Sequence, residues 1–409
     1  MRFSAAYRPG AAYAVISLAY WAFTLSDGAL RMLVVLYFHG LGYSPLEVAM
    51  LFVLYEFFGM VTNLLGGWLA TRIGLNLTMQ LGLALQVLAL GMLLVNESLL
   101  TVVWVMLAQA LSGIAKDLNK MSAKSSVKSL LGQVQGSGGN TLYRWVALLT
   151  GSKNAMKGVG FFLGGLLLSV LGFRGAVFSM ACALALVLLV SMLLLGRDLG
   201  RTEFKPRFTD LLSKSPAINR LSAARFFLFA SRDIWFVLAL PVYLQTQRQW
   251  DAVAVGTLLA CWVIGYGLVQ GLAPMVTGRH PPARVIGRWG LLLSLPLLLL
   301  AAALALGLQQ DWLLVAGLLL FGAVFAINSA LHSYFIVHWA RQDGVSLDVG
   351  FYYMANAGGR LLGTVLSGLV YQLMGLVACL LLATGFVILS ALLAGRLQEQ
   401  EQEPVQSSG

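Results

Sequence analysis

Apolar runs of helical length alternate with short polar breaks along almost the whole chain, and about twelve of them approach the ~20 residues a helix needs to cross a bilayer. The first six cover residues 11–38, 45–71, 77–95, 99–119, 142–171 and 174–196, and the second six cover 217–244, 252–277, 284–307, 312–340, 347–373 and 375–395. Between the two sets lies RDLGRTEFKPRFTDLLSKSPA, the longest strongly polar interior segment, punctuated by Pro206 and Pro216. The pattern predicts an all-α integral membrane protein: a six-helix bundle over 1–196, a linker over 197–216, a second six-helix bundle over 217–395 and a disordered tail over 396–409. The runs are too long for the ~10-residue alternating strands of an outer-membrane barrel.

Composition agrees, with 59% hydrophobic and 11% charged residues where an average soluble domain carries roughly 25% charged. The net charge of +11 is a matter of topology rather than of nucleic acid. Arg2, Arg8, Arg72, Lys120, Lys124, Lys128, Arg197, Arg201, Lys205 and Arg284 fall in one set of loops, and the opposite set holds only Arg174 and Arg248. Excess Lys and Arg mark the cytoplasmic side, so both termini and the linker are expected there. Cys182, Cys261 and Cys379 stand singly in apolar runs without metal spacing. The first run lacks a small-residue cleavage site and reads as a retained span. Neither a phosphate-binding loop nor a hydrolase or metal constellation is visible, so no enzyme activity, cofactor or direct use of ATP is expected.

Inside the spans a few charges break the pattern. Tyr20, Thr24, Asp27 and Arg31 fall on one helical stripe of the first run. An ionisable residue at membrane depth costs several kcal/mol unless it is paired or faces water, so such a stripe marks a cavity. The intramembrane cations are Arg31, Lys116, Lys153, Lys157, Arg225, Arg232 and Arg360, against Asp27, Glu56, Asp117 and Asp233. The cavity is therefore expected to be net positive and to take a multiply charged anion, with Arg31, Lys153, Lys157, Arg232, Asn356 and Arg360 as its ligands. Lys153, Lys157 and Arg360 have no acid nearby in sequence and carry the most weight. Plainer readings stand beside this one: Asp27 neutralises Arg31, Asp233 neutralises Arg232, and Lys116 and Arg225 sit at interfacial span ends. Asp27, Glu56 and Asp233 are candidate proton carriers, with a structural hydrogen bond as the alternative for Glu56. His332, one turn after Asn328, reads as a satisfied packing residue or a cavity group. Tyr352, Tyr353, Trp235 and Trp262 read as core or interfacial aromatics.

The halves echo each other. Asp27 and Tyr37 are matched by Asp233 and Tyr243, while Lys157 after Asn154-Ala155 is matched by Arg360 after Asn356-Ala357. Between the second and third runs the chain reads Gly67-Trp68-Leu69-Ala70-Thr71-Arg72-Ile73-Gly74. This resembles the signature loop of the major facilitator superfamily, Gly-x-Leu-Ala-Asp-Arg-x-Gly-Arg, with Thr71 and Leu75 departing from it. The resemblance implies two six-helix halves with the substrate site between them at the midplane, and a gate latch involving Gly67, Arg72 and Gly74. Gly151, Gly160 and Gly164 match the glycine spacing of the superfamily's antiporter motif, which implies a leak seal between halves; ordinary small-residue packing accounts for them equally.

The stretches Tyr20–Gly59, Ala108–Lys128, Leu142–Gly165 and Ala224–Leu244 resemble the organoarsenical efflux permeases of bacterial arsenic-resistance operons. That resemblance implies an exporter of 1-arseno-3-phosphoglycerate in the inner membrane, coupled in function to the glyceraldehyde-3-phosphate dehydrogenase that makes it; the buried acids point to proton exchange as the driving step, with a uniporter driven by the membrane potential as the alternative. A monomer in contact with membrane lipid is expected. The alternatives are carriage of another organic phosphate or carboxylate, and a non-transporting receptor on the same fold.

Overall fold

The computed structural model describes residues 9–132, 139–195, 215–278, 281–308, 310–339 and 345–397. Among these the chain forms helices and no strand, the arrangement in which backbone groups find partners inside their own segment at membrane depth. The first half consists of α1 (Pro9–Gly40), a crossing made of α2 (Pro45–Met50) and α3 (Val53–Ile73), then α4 (Leu75–Met92), α5 (Val102–Gly132) and the two arms of α6 (Gly139–Leu194). The second half repeats the plan. Its α7 (Pro216–Phe236) and α8 (Ala239–Thr246) form one crossing, followed by α9 (Ala252–Thr277), α10 (Val285–Ala305), α11 (Asp311–Trp339) and the two arms of α12 (Val345–Gly395). Large aliphatic side chains such as Leu193, Met275 and Leu299 are exposed on the outer surface, where lipid takes the place of water. The expected linker lies outside the described residues apart from Ser215 and Pro216, and so does the tail beyond Leu397.

Both long helices bend at a glycine. Gly172 has φ 66° and Gly375 φ 77°, in the left-handed region where a side chain would be strained. Lys157 stands 15 residues before the first bend and Arg360 15 before the second, so the internal repeat seen faintly in the sequence is written into the backbone. One expected boundary was wrong. The fourth apolar run ends at 119, yet α5 continues to Gly132, because lysines end the lipid-facing stretch without ending the helix. Lys120 even supports that continuation, reaching back to Asp117 at 2.6 Å. The seventh crossing breaks at Val237 and Leu238, where Pro241 offers no N–H to the Val237 carbonyl and crowds it. The freed Ala239 N–H donates instead to Ser367 Oγ at 3.1 Å.

Small residues let the backbones meet. On α6, Gly160 and Gly164 lie against the Leu25 and Ala29 carbonyls of α1, and on α12, Gly359 and Gly363 lie against the Phe226 and Ala230 carbonyls of α7. These contacts hold each half together. Other glycines close the seam between halves: Gly158 and Gly165 meet Ala260 and Ala252 of α9, and Gly358 and Gly368 meet Met60 and Pro45. Of the motif's glycines, Gly160 and Gly164 thus do ordinary small-residue packing inside their own half, the seam contacts fall to Gly158 and Gly165, and the surroundings of Gly151 lie outside the described residues.

A methyl group at Gly359 would overlap the Phe226 carbonyl oxygen, whereas one at Gly271 would meet nothing within 4 Å. Gly359→Ala is expected to cost about 1–3 kcal/mol, the usual penalty of overpacking, and Gly271→Ala nothing. Thermal unfolding of the purified variants in detergent checks this: the first should melt several degrees lower and the second at the wild-type temperature.

Candidate functional site

At the seam, α1, α3, α5 and α6 of the first half face α7, α9, α11 and α12 of the second across a void made of two adjoining pockets, with Asn154, Lys157, Arg232, Tyr266 and Arg360 in the walls of both. Its wider part, about 1360 Å³ measured to the open mouth, lies toward the end where α1 begins and is lined by Tyr20, Asp27, Tyr55, Asn63, Lys116, Lys120, Lys153, Lys157, Arg225, Arg232, Gln270, Asn356 and Arg360. A narrower part of about 600 Å³ continues toward the opposite end. There Arg31, Lys157, Arg232 and Arg360 face Phe161, Phe236, Trp262 and Tyr266, and Val35, Val237 and Leu259 line it farther along. Of the six expected ligands, Lys157, Arg232 and Arg360 line both pockets, Arg31 the narrow one and Lys153 and Asn356 the wide one.

The pairing of charges differs from what closeness in sequence suggested. Asp27 does not neutralise Arg31. The Arg31 guanidinium donates to Glu56 Oε1 at 2.6 Å, and Asp27 accepts from the Tyr55 hydroxyl at 2.6 Å. Arg360 is not without acids either: its Nη2 donates to the same Glu56 oxygen at 2.6 Å and its Nε to Asp233 Oδ2 at 3.1 Å. Arg232 does pair with its neighbour Asp233, at 2.5 Å. A guanidinium on one helix and a carboxylate on another pair wherever the bundle brings them together, and the acids that hold Arg360 come from α7 and from α3 across the seam.

Lys116 and Arg225 are wall residues of the void, not interfacial ones. The Lys116 ammonium rests 4.0 Å above the Tyr55 ring and 3.7 Å from Asp117. Arg225 lies 3.9 Å over the Phe229 ring and donates from Nε to Asn356 Oδ1 at 2.9 Å and from Nη1 to Ser329 Oγ at 3.0 Å. Asn356 thus orients an arginine as well as facing the void. Lys157 stands 5.5 Å from the Phe161 ring centroid and has no carboxylate partner among the described residues. Eight basic side chains (Arg31, Lys116, Lys120, Lys153, Lys157, Arg225, Arg232 and Arg360) face four carboxylates (Asp27, Glu56, Asp117 and Asp233) among the described residues, so the surplus is positive.

Several residues not expected in the site from the sequence take part in it. Asn154 donates to Gln270 at 3.3 Å and Lys120 lies 5.1 Å from the Tyr353 ring, both across the seam. A single amide such as Gln270 in a lipid-length apolar run is the signal that would have found the first. Trp262 and Tyr353 are walls of the void, whereas Trp235 and Tyr352 are core. His332 is wholly buried, but among the described residues neither ring nitrogen has a hydrogen bond, so it is not the satisfied packing residue expected. Of the signature loop, Gly67 and Arg72 sit on the last turns of α3, with side-chain surroundings outside the described residues; Gly74 turns the chain into α4 with φ 90°. The cysteines are free, and no group of potential metal ligands occurs among the described residues.

A groove of about 870 Å³ crosses the seam at the opposite end, lined by His39, Tyr243, Thr246, Gln247, Tyr371 and Gln372 among others, without Lys, Arg, Asp or Glu. Nearby, the Leu46 N–H donates to Gln372 Oε1 at 3.1 Å and joins the halves. The two ends of the seam differ in character, strongly basic on one side and neutral polar on the other.

Comparison with known proteins follows this geometry. The profile of the Major Facilitator Superfamily matches residues 16–238 and again 221–408. Similar solved structures include the nucleoside transporter NupG (D323A mutant), at TM-score 0.74 and 16% identity over 95% of this chain and 99% of that one. The human organic anion transporter MFSD10 (TETRAN) aligns at TM-score 0.70 and 18% identity over 94% of this chain and 99% of its own. A POT family transporter solved with 5-aminolevulinic acid aligns at TM-score 0.73 and 15% identity over 94% and 95%. Curated protein sequences gave no significant match. Two matches of one profile, one to each half, cover nearly all of a multi-pass, twelve-crossing helical bundle with a polar void at its seam: the chain belongs to the major facilitator superfamily, whose members include carriers of small molecules across membranes.

Proposed function

We propose that the chain exports a small organic oxyanion carrying more than one negative charge, by alternating access in exchange for protons, and that this anion is 1-arseno-3-phosphoglycerate. The observation that carries the reading is Lys157, an ammonium without a carboxylate among the described residues, on a void whose other cations outnumber its acids. An anion of two or more charges relieves that surplus, and planar guanidiniums match the oxygens of phosphate or arsenate. Arsenate is favoured over other oxyanions by the resemblance of Tyr20–Gly59 and Leu142–Gly165 to organoarsenical permeases, which also supplies the link to a glyceraldehyde-3-phosphate dehydrogenase.

The basic loops set the wide end of the void toward the cytoplasm of a bacterial inner membrane, with both termini on that side. Substrate then loads from the cytoplasm among fixed cations and leaves by way of a groove that has none. An inside-negative potential assists, at ~2.3 kcal/mol per charge per 100 mV. Asp27 is the proton carrier we favour. Glu56 and Asp233 already hold two arginines each, while among the described residues Asp27 faces the void with the Tyr55 hydroxyl as its one hydrogen-bond partner.

The test uses everted membrane vesicles supplied with glyceraldehyde 3-phosphate, the dehydrogenase, NAD and radiolabelled arsenate, with and without an acid-inside pH gradient. Uptake of label should require every component and rise with the gradient. Uptake of a sugar phosphate with none of the arsenical would overturn the substrate assignment. Lys157→Ala should cut uptake at least about tenfold while melting at or above the wild-type temperature, because it removes a cation that no acid offsets. Arg360→Ala should lose uptake and also about 1–3 kcal/mol of stability, since it removes one of the two arginines that each of two buried carboxylates holds. Asp27→Asn should keep substrate exchange across the membrane and lose the response to the gradient; wild-type stimulation in this variant would remove Asp27 from the mechanism.

A further inference from the structure

One edge of the Arg360 guanidinium is divided between two acids. Its Nε donates to Asp233 of its own half at 3.1 Å, and its Nη2 to Glu56 of the other half at 2.6 Å. Two such adjacent N–H groups form a fork whose best single partner is one carboxylate, phosphate or arsenate giving two oxygens side by side. In this structure no single group gives both. Each of two carboxylates lends one oxygen, and together they reproduce what a bound oxyanion would present.

Each acid also has a second cation within reach. Asp233 Oδ1 sits 2.5 Å from Arg232. The other oxygen of Glu56, Oε2, is buried without a hydrogen bond and lies 4.0 Å from the Lys116 ammonium. A carboxylate pushed off Arg360 would therefore not be left as an uncompensated buried charge, the outcome that makes breaking such pairs prohibitive.

We propose that Glu56 and Asp233 together are a built-in stand-in for the oxyanion of the substrate, and that the substrate binds by displacing them from the Arg360 fork. Glu56 stays with Arg31 and turns toward Lys116, and Asp233 stays with Arg232. Because the bond between Glu56 and Arg360 crosses the seam, the same displacement removes one tie between the halves and eases their movement. The inference rests on reading the void as an oxyanion site and assigns Glu56 as a positioning residue of that site.

The experiment uses the full chain in nanodiscs with 3-phosphoglycerate as a stable probe, binding being measured by calorimetry. Spin labels at Leu41→Cys and Gln247→Cys, on a background with Cys182 and Cys261 replaced by serine, report the spacing of the halves by pulsed dipolar spectroscopy. Glu56→Gln should bind the probe roughly tenfold tighter, and when empty it should show the distance distribution that wild type shows only with probe. Glu56→Asp, which keeps the charge, should bind no tighter than wild type. Asp233→Asn, which keeps the tie across the seam, should bind tighter with the empty distribution unchanged, so the idea remains testable if Glu56→Gln does not fold. Probe bound by wild type and bound no more tightly by Glu56→Gln or Asp233→Asn would overturn the stand-in alone. Absence of binding by every protein would instead overturn the oxyanion reading beneath it.

Discussion

Arg360 is a positive charge in the middle of an apolar bundle, and it is held there by one acid from each half of the protein. Burying such a charge is tolerable only if its partners are fixed in place, because an unpaired guanidinium at that depth costs several kcal/mol. The rest of the seam follows from that requirement. Glu56 must approach from α3, which calls for close contact of α3 with α12, and Gly358 against Met60 permits it. Asp233 must approach from α7, and Gly359 and Gly363 allow that helix to lie directly on α12. The aromatic rings beneath Arg225, Arg232 and Lys116 offer further contact to cations that water reaches poorly.

The repeat of the two halves is what brings this chemistry to the seam. In each, a cation is followed three residues later by a glycine that packs on the first helix of its half, and then by a bend at a glycine with positive φ. Lys157 and Arg360 hold equivalent places but not equivalent partners. Arg360 is bound by two acids, whereas Lys157 has no carboxylate among the described residues. A symmetric scaffold thereby carries an asymmetric charge pattern, one cation tied to an acid of each half and one without a carboxylate among the described residues.

Much of this could be read from the chain because lipid imposes a simple rule on length and polarity. Crossings of helical length survive as helices, and the charges that violate the rule do gather on one void. What could not be read was partnership. The acids on Arg360 lie 127 and 304 residues away, so pairing by proximity along the chain assigned Asp27 to Arg31 and none to Arg360. Lys116 looked interfacial because distance from the end of an apolar run is a poor guide to depth when the helix outlasts the run, as α5 does. His332 shows the same limit from the other side, since its burial could be guessed and the lack of a hydrogen-bond partner among the described residues could not.

The central claim is that a multiply charged oxyanion rests between the free ammonium and the shared guanidinium at the seam. Its most direct test is a crystal of the protein with a hydrolytically stable arsonate analogue of 3-phosphoglycerate, recorded at the arsenic absorption edge. The account predicts one anomalous peak on the seam within contact distance of Lys157 and Arg360, with Glu56 turned away from the fork. A peak elsewhere, or a fully occupied analogue that leaves the bonds from Arg360 to Glu56 and Asp233 intact, would contradict it.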